Sequence, residues 1–166
     1  MKKLVLIIAL ATGFIACQSP QEKSMEQIKL LELQLVEEYE GMVDLELGQK
    51  MISGYINFAT EFSTDSNAAL CLFKAGEVAQ GIGEYEHSLE LFAQMKDSYP
   101  KHEKAPVALF LTGFITDNHL NSPEAAKLAY QEFINNYPNH PLAKDARILI
   151  EQAGLDDIRI IREFQN

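Results

Sequence analysis

Four histidines and two cysteines are the most reactive side chains of this 166-residue chain, and their spacing limits what they can do. His87, His102, His119 and His140 never form a His-Glu-x-x-His pair, and no cysteine or carboxylate cluster accompanies them, so no metal is expected. His102 and His140 instead stand two positions after Pro100 and Pro138, which points to a structural role in two equivalent linkers. Cys71 has no histidine at a fixed helical offset to activate it, and it aligns with Ala108 and Ala146. That predicts a small buried position on a helix rather than a nucleophile. Gly81-x-Gly83 follows a helical pattern and lacks the third glycine and the lysine of a phosphate loop, so it reads as an interhelical turn. Asp156-Asp157 lies between Gly154 and an apolar stretch, which suits helix capping better than acid–base work. There is no serine-centred nucleophile elbow. No catalytic constellation and no cofactor is expected, and an independent hydrolase is the weakest reading.

Cys17 is different. Lys2 and Lys3 precede an apolar run from Leu4 to Ala16 that ends in Phe14-Ile15-Ala16-Cys17. The run is too short to span a bilayer comfortably, which takes about 20 apolar residues, and the order of charge, apolar run and small residue is that of a secretory signal. The segment resembles a bacterial lipoprotein signal with its lipobox, Phe14 standing where Leu is more usual. The resemblance implies cleavage before Cys17 and lipidation of its thiol; an ordinary signal peptide or a short buried helix is the competing reading. The chain then divides into a signal peptide (1–16), a lipidated cysteine with a polar tether (17–24) and a helical domain (25–166). With Cys17 lipidated, Cys71 has no disulfide partner in the chain, and the domain must rely on its core.

Removing Lys2 and Lys3 takes the formal charge from −10 to −12. Such a surface repels nucleic-acid phosphates and anionic headgroups, so neither nucleic acid nor electrostatic membrane docking is expected. Attachment to a membrane would come from lipid on Cys17.

The elements follow from aromatic triplets that recur at nearly constant spacing: Tyr55, Phe58, Phe62; Phe92, Met95, Tyr99; Tyr130, Phe133, Tyr137. Offsets of three and four put each triplet on one helical face, and a period in the range of about 20–50 residues marks stacked repeats. Apolar spacing predicts a helix from Met25 to about Tyr39, a break at Gly41 and a second helix from near Asp44 through Phe62. Ser63 to Asn67 stops that helix. A pair follows at 68–100, divided by Gly81-Ile82-Gly83 and ended by Pro100. Another follows at 105–138, with its turn at Asp117 to Asn121, a cap-like Ser122 and Pro123 in the first turn. Leu142 to Ala153 begins a further pair, with Gly154 as its C-terminal cap and a short closing helix from Ile158 to Phe164. Nothing reads as a strand.

The offsets Leu72-x₂-Ala75-Gly76-x₂-Ala79, Ser88-x₃-Phe92 and Pro100 resemble the tetratricopeptide repeat. So do Leu109-x₂-Thr112-Gly113-x₂-Thr116, Ala126-x₃-Tyr130 and Pro138. Glycine lets paired helices approach, Ser88 or Ala126 receives the first helix, and proline stops the second. The resemblance covers residues 44–153 and is clearest at 68–100 and 105–138. It implies an all-α, right-handed tetratricopeptide-like solenoid of about three helix-turn-helix pairs. The ending Tyr130-x₂-Phe133-x₃-Tyr137-Pro138-Asn139-His140 is similar to the longer repeats of periplasmic envelope lipoproteins. These include those of the outer-membrane β-barrel assembly machinery and of the Tol-Pal system. Together with the lipobox, this implies a lipid-anchored protein on the periplasmic face of the outer membrane. Gln18 is not the Asp associated with inner-membrane retention, and residues 18–23 lack the acidic cluster of surface-exported lipoproteins.

The resemblance places partner binding on the first helices, where Phe73, Glu77 and Gln80 of one repeat would stand beside Phe110, Phe114 and Asp117 of the next. Aromatics rimmed by acid and amide would suit a peptide segment of an envelope protein. In the competing arrangement the three phenylalanines pack against neighbouring helices. The resulting expectation is a non-catalytic adaptor; the alternative is an accessory subunit or solute-binding helper of an envelope enzyme or export complex.

Overall fold

The computed structural model describes residues 18–37 and 44–153. Cys17, the break at Gly41, the cap at Gly154, Asp156-Asp157 and the closing helix at 158–164 lie outside the described residues. Within them the chain forms seven helices: α1 (Pro20–Glu37), α2 (Leu45–Glu61), α3 (Ala68–Gly81), α4 (Tyr85–Ser98), α5 (Ala105–Asn118), α6 (Pro123–Asn136) and α7 (Ala143–Gln152). Each packs mainly on its neighbours in sequence, the arrangement of an all-α tetratricopeptide-like solenoid.

α1 begins at Pro20, ahead of the expected start at Met25, so most of the expected tether is helical. The cause is a capping box. Ser19 Oγ accepts from the Glu22 backbone N–H at 3.2 Å, and the Glu22 carboxylate accepts from the Ser19 N–H at 2.8 Å. Pro20 occupies the first helical position, where a missing N–H costs nothing. Asp44 starts α2 as expected, its Oδ1 accepting from the Leu47 N–H at 2.9 Å. Ser122 precedes α6 but makes no side-chain cap bond; its contribution is a backbone N–H donated to the Thr116 carbonyl. α5 runs to Asn118, past the expected Thr116. The α5–α6 turn therefore starts later, is one residue longer than the α3–α4 turn, and enters α6 past Asn121 at φ 50°. Asn121 is the repeat counterpart of Gly83, which turns α3 into α4 at φ 83°. Asparagine is among the few residues that tolerate this left-handed region.

The pairs close through glycine. A Cβ on Gly76 would stand 2.5 Å from the ring of Phe92, and one on Gly113 2.6 Å from that of Tyr130. Only a residue without a side chain lets α3 and α5 lie this near the aromatics of α4 and α6. Ser88 and Ala126, both fully buried, receive the first helices as expected, and Ser88 Oγ also donates to the Gly76 carbonyl at 2.7 Å. The second-helix triplets form the core: the rings of Tyr55, Phe58, Phe92, Tyr130 and Phe133 and the Met95 side chain are all buried. Burial of one such ring stabilises by about 1.5–3 kcal/mol. The third member of each triplet, Phe62, Tyr99 or Tyr137, is half-buried. Tyr99 ties adjacent repeats together, its hydroxyl donating to the Ser63 carbonyl at 2.8 Å. Among the described residues no helix is long and apolar enough to cross a membrane.

Candidate partner-binding face

α3, α5 and α7 are the first helices of successive pairs, and the glycine contacts fix α3 and α5 against their second helices. α3 and α5 also carry the six residues expected to bind a partner. Their exposures differ, and packing explains the difference.

Phe73 is buried. Its ring lies 5.6 Å from that of Phe92, and the Lys104 ammonium sits 5.4 Å from its centroid, so it is core in this fold. Phe110, its equivalent in the next repeat, packs on Tyr130 at 5.5 Å and Phe133 at 5.6 Å and remains partly exposed. Phe114 is partly exposed and meets the edge of His119, at 6.2 Å. Glu77 is exposed, while Gln80 and Asp117 are partly so. Desolvation by the packed helices raises the Glu77 carboxyl above its ordinary range, against the opposing pull of Lys104 and Lys74. No ring contact among the described residues joins Phe73 to Phe110 or Phe114. The two groups are held on α3 and α5, which both pack on α4, and Lys104 bridges from the start of α5 to the ring of Phe73. What reaches solvent is Glu77, with Gln80, Phe110, Phe114 and Asp117 in part.

Residues 107–140 match the tetratricopeptide repeat family. The match covers α5 from Val107, all of α6 and the linker as far as His140, the pair in which Gly113 meets the Tyr130 ring and Ala126 is buried. No curated protein matches the chain at a significant level. The pair α3/α4 repeats the same contacts through Gly76, Ser88 and Phe92, so the geometry of the tetratricopeptide unit extends beyond the matched residues. Repeats of this kind are protein-interaction modules, and Phe110, Phe114 and Asp117 of α5 fall within the match.

Two clusters join residues far apart in sequence. Glu32 on α1 accepts from the Tyr55 hydroxyl on α2 at 2.6 Å and from Lys74 on α3, and the Lys74 ammonium lies 5.7 Å from the Tyr55 ring centroid. Burial alone would raise the Glu32 carboxyl, but the hydrogen bonds from Lys74 and Tyr55 outweigh it and hold the group below the usual carboxylate range. Tyr85 and His119 stack at 4.1 Å and 12°, linking the start of α4 to the end of α5. Periodicity reveals neither, since each joins side chains with no common period. Cys71 lies beside the first cluster, lining a cavity of about 170 Å³ with Tyr55 and Lys74. It is buried, like Ala108 and Ala146 at its equivalent positions, and burial pushes its thiol up to about 11, only partly offset by Lys74. A thiol so protonated at neutral pH is a poor nucleophile. His102 and His140 hold backbone N–H groups in the two linkers, the structural role that their equivalence predicts. Among the described residues no group of three or more His, Cys, Asp or Glu could hold a metal ion.

Proposed function

We propose that this chain is a non-catalytic interaction scaffold, lipid-anchored through Cys17 to the periplasmic side of the outer membrane, that binds a segment of an envelope protein on the α3–α5 face. The observation that carries the binding part is the unequal packing of the first-helix rings. Phe73 is consumed by the core, whereas Phe110 and Phe114 stay partly open on α5, as do Asp117 on that helix and Gln80 on α3, with Glu77 exposed, on helices fixed by the glycine contacts. An aromatic side chain on a rigid element with a polar rim is the usual anchor of a peptide interface. The acidic surface favours a partner segment that is apolar with basic flanks.

The anchoring part is supported by the charged, apolar and lipobox-like order of residues 1–17 and by the short distance from Cys17 to α1. Only Gln18 and Ser19 separate the thiol-bearing residue from the first residue of the helix. That is a reach of roughly 10 Å at full extension. Two or three acyl chains hold a protein where one would not. The scaffold would therefore work close to the bilayer, as part of an assembly of the kind served by the repeat lipoproteins of barrel assembly or Tol-Pal. Metabolic labelling with palmitate tests this: the full chain takes up label and Cys17→Ser does not, whereas label persisting in Cys17→Ser overturns the anchor.

A further inference from the structure

One turn design occurs three times, once ahead of each first helix. Asp65 Oδ1 accepts from the backbone N–H of Asn67 at 2.8 Å. His102 Nδ1 accepts from the backbone N–H of Lys104 at 3.1 Å, and His140 Nδ1 from that of Leu142 at 3.2 Å. The surrounding backbone bonds repeat as well. The N–H groups of Asp65, His102 and His140 donate to the carbonyls of Phe62, Tyr99 and Tyr137, and their own carbonyls accept from Ala68, Ala105 and Ala143. A side-chain acceptor bonded two residues ahead fixes the linker and starts the next helix. The acceptor is a carboxylate before α3 and an imidazole before α5 and α7.

The two acceptors respond differently to acid. An imidazole nitrogen accepts only without its proton, and a protonated ring presents a donor at both nitrogens. Protonating His102 or His140 would therefore turn Nδ1 against the N–H it now holds. Histidine ordinarily makes this change between about pH 5 and 8, whereas an aspartate keeps its acceptor oxygens until near pH 4. We infer that His102 and His140 are acid-sensitive latches that release the starts of α5 and α7 while Asp65 keeps the start of α3 in place.

The surroundings of each ring bear on its charge. His102 lines a groove of about 470 Å³ together with Asp65 from the α2–α3 turn and Tyr99 and Lys101 from its own linker; Glu103 and Lys104 follow it into α5. The His140 ring meets Phe133 of α6 edge-on at 5.5 Å, with Tyr137 in its linker and Lys144 and Asp145 in the first turn of α7. α5 carries Phe110, Phe114 and Asp117, so a released α5 start would loosen the face proposed to bind a partner, although the latch itself stands whether or not that proposal holds.

Amide hydrogen exchange of the full chain, resolved by residue and corrected for intrinsic rates, tests the latch between pH 7.5 and 5.5. Loss of one such side-chain hydrogen bond corresponds to a rise in local opening on the order of fivefold. That rise is expected at Lys104 and Leu142, with Asn67 unchanged. In the double variant His102→Asn/His140→Asn the amide oxygen accepts without titrating, so the acid response should vanish. Each single variant should flatten its own linker alone. Equal acid dependence in wild type and double variant, no acid response in the wild type, or a single variant that alters both linkers or neither would overturn the inference.

Discussion

Gly76→Ala offers the sharpest probe of how the repeats close. The added methyl would stand 2.5, 2.8 and 3.0 Å from three carbons of the Phe92 ring, where carbon atoms at rest keep about 3.5–4.0 Å apart. Phe92 is almost wholly buried and lies against Phe73, so its ring has nowhere to retreat. α3 and α4 must separate by about 1 Å to restore that spacing, or the ring must leave its rotamer. Overpacking of this kind costs about 1–3 kcal/mol and sometimes more. Alanine also gains about 1 kcal/mol over glycine within a helix. With the clash at the severe end, the net loss should be about 2 kcal/mol. Gly113→Ala against Tyr130, at 2.6 Å, should behave alike. Gly81→Ala is the internal control: nothing lies within 4 Å of a Cβ there, so only the helix gain remains and stability should hold or rise slightly. Urea denaturation followed by far-UV circular dichroism reports all three, since the chain has no tryptophan. Combining Gly76→Ala with Phe92→Leu should cost at least about 1 kcal/mol less than the sum of the single changes. If Gly76→Ala and Gly81→Ala have the same midpoint, close approach at glycine is not what joins the helices.

Two further outcomes follow from buried groups. The Tyr130 hydroxyl is buried with no hydrogen-bond partner among the described residues, and its repeat equivalent is Phe92; Tyr130→Phe should therefore leave stability unchanged or raise it by about 1 kcal/mol, measured by the same urea titration. The Cys71 thiol is raised from 9.0 in the unfolded reference to about 11, so the fold retains a proton that the unfolded chain loses. Its contribution to stability is complete below about pH 9 and is lost as pH rises toward 11. Thermal unfolding from pH 8 to 11 should show that loss in the wild type and a flatter profile in Cys71→Ala.

Much of this fold is legible in the residues because the repeat rests on local rules. The triplets lie on one face of each second helix, Gly76 and Gly113 mark the close approaches, and Pro100 and Pro138 follow the stops. The start of α1 is legible too, since Ser19-Pro20-x-Glu22 is a capping box, but a polar run containing proline reads first as a tether. Asp65 escapes notice as the counterpart of His102 and His140 because the residue type changes while the acceptor role persists. The binding face is less legible. Phe73 and Phe110 are identical in type and register, yet one is buried and the other half-open; what separates them includes the Lys104 ammonium lying over Phe73, a contact that periodicity does not contain. The Tyr85–His119 stack depends on how two turns meet in space.

The central claim, that the first-helix face engages a protein at the membrane, is tested most directly by site-specific photocrosslinking of the lipidated chain in its native membranes. A photoreactive residue at position 114 lies on the proposed face, and one at position 128 replaces a leucine that is 73% exposed on α6. A discrete protein adduct is expected from position 114 and none from position 128. An adduct from position 128 alone, or no adduct from position 114, would contradict the claim.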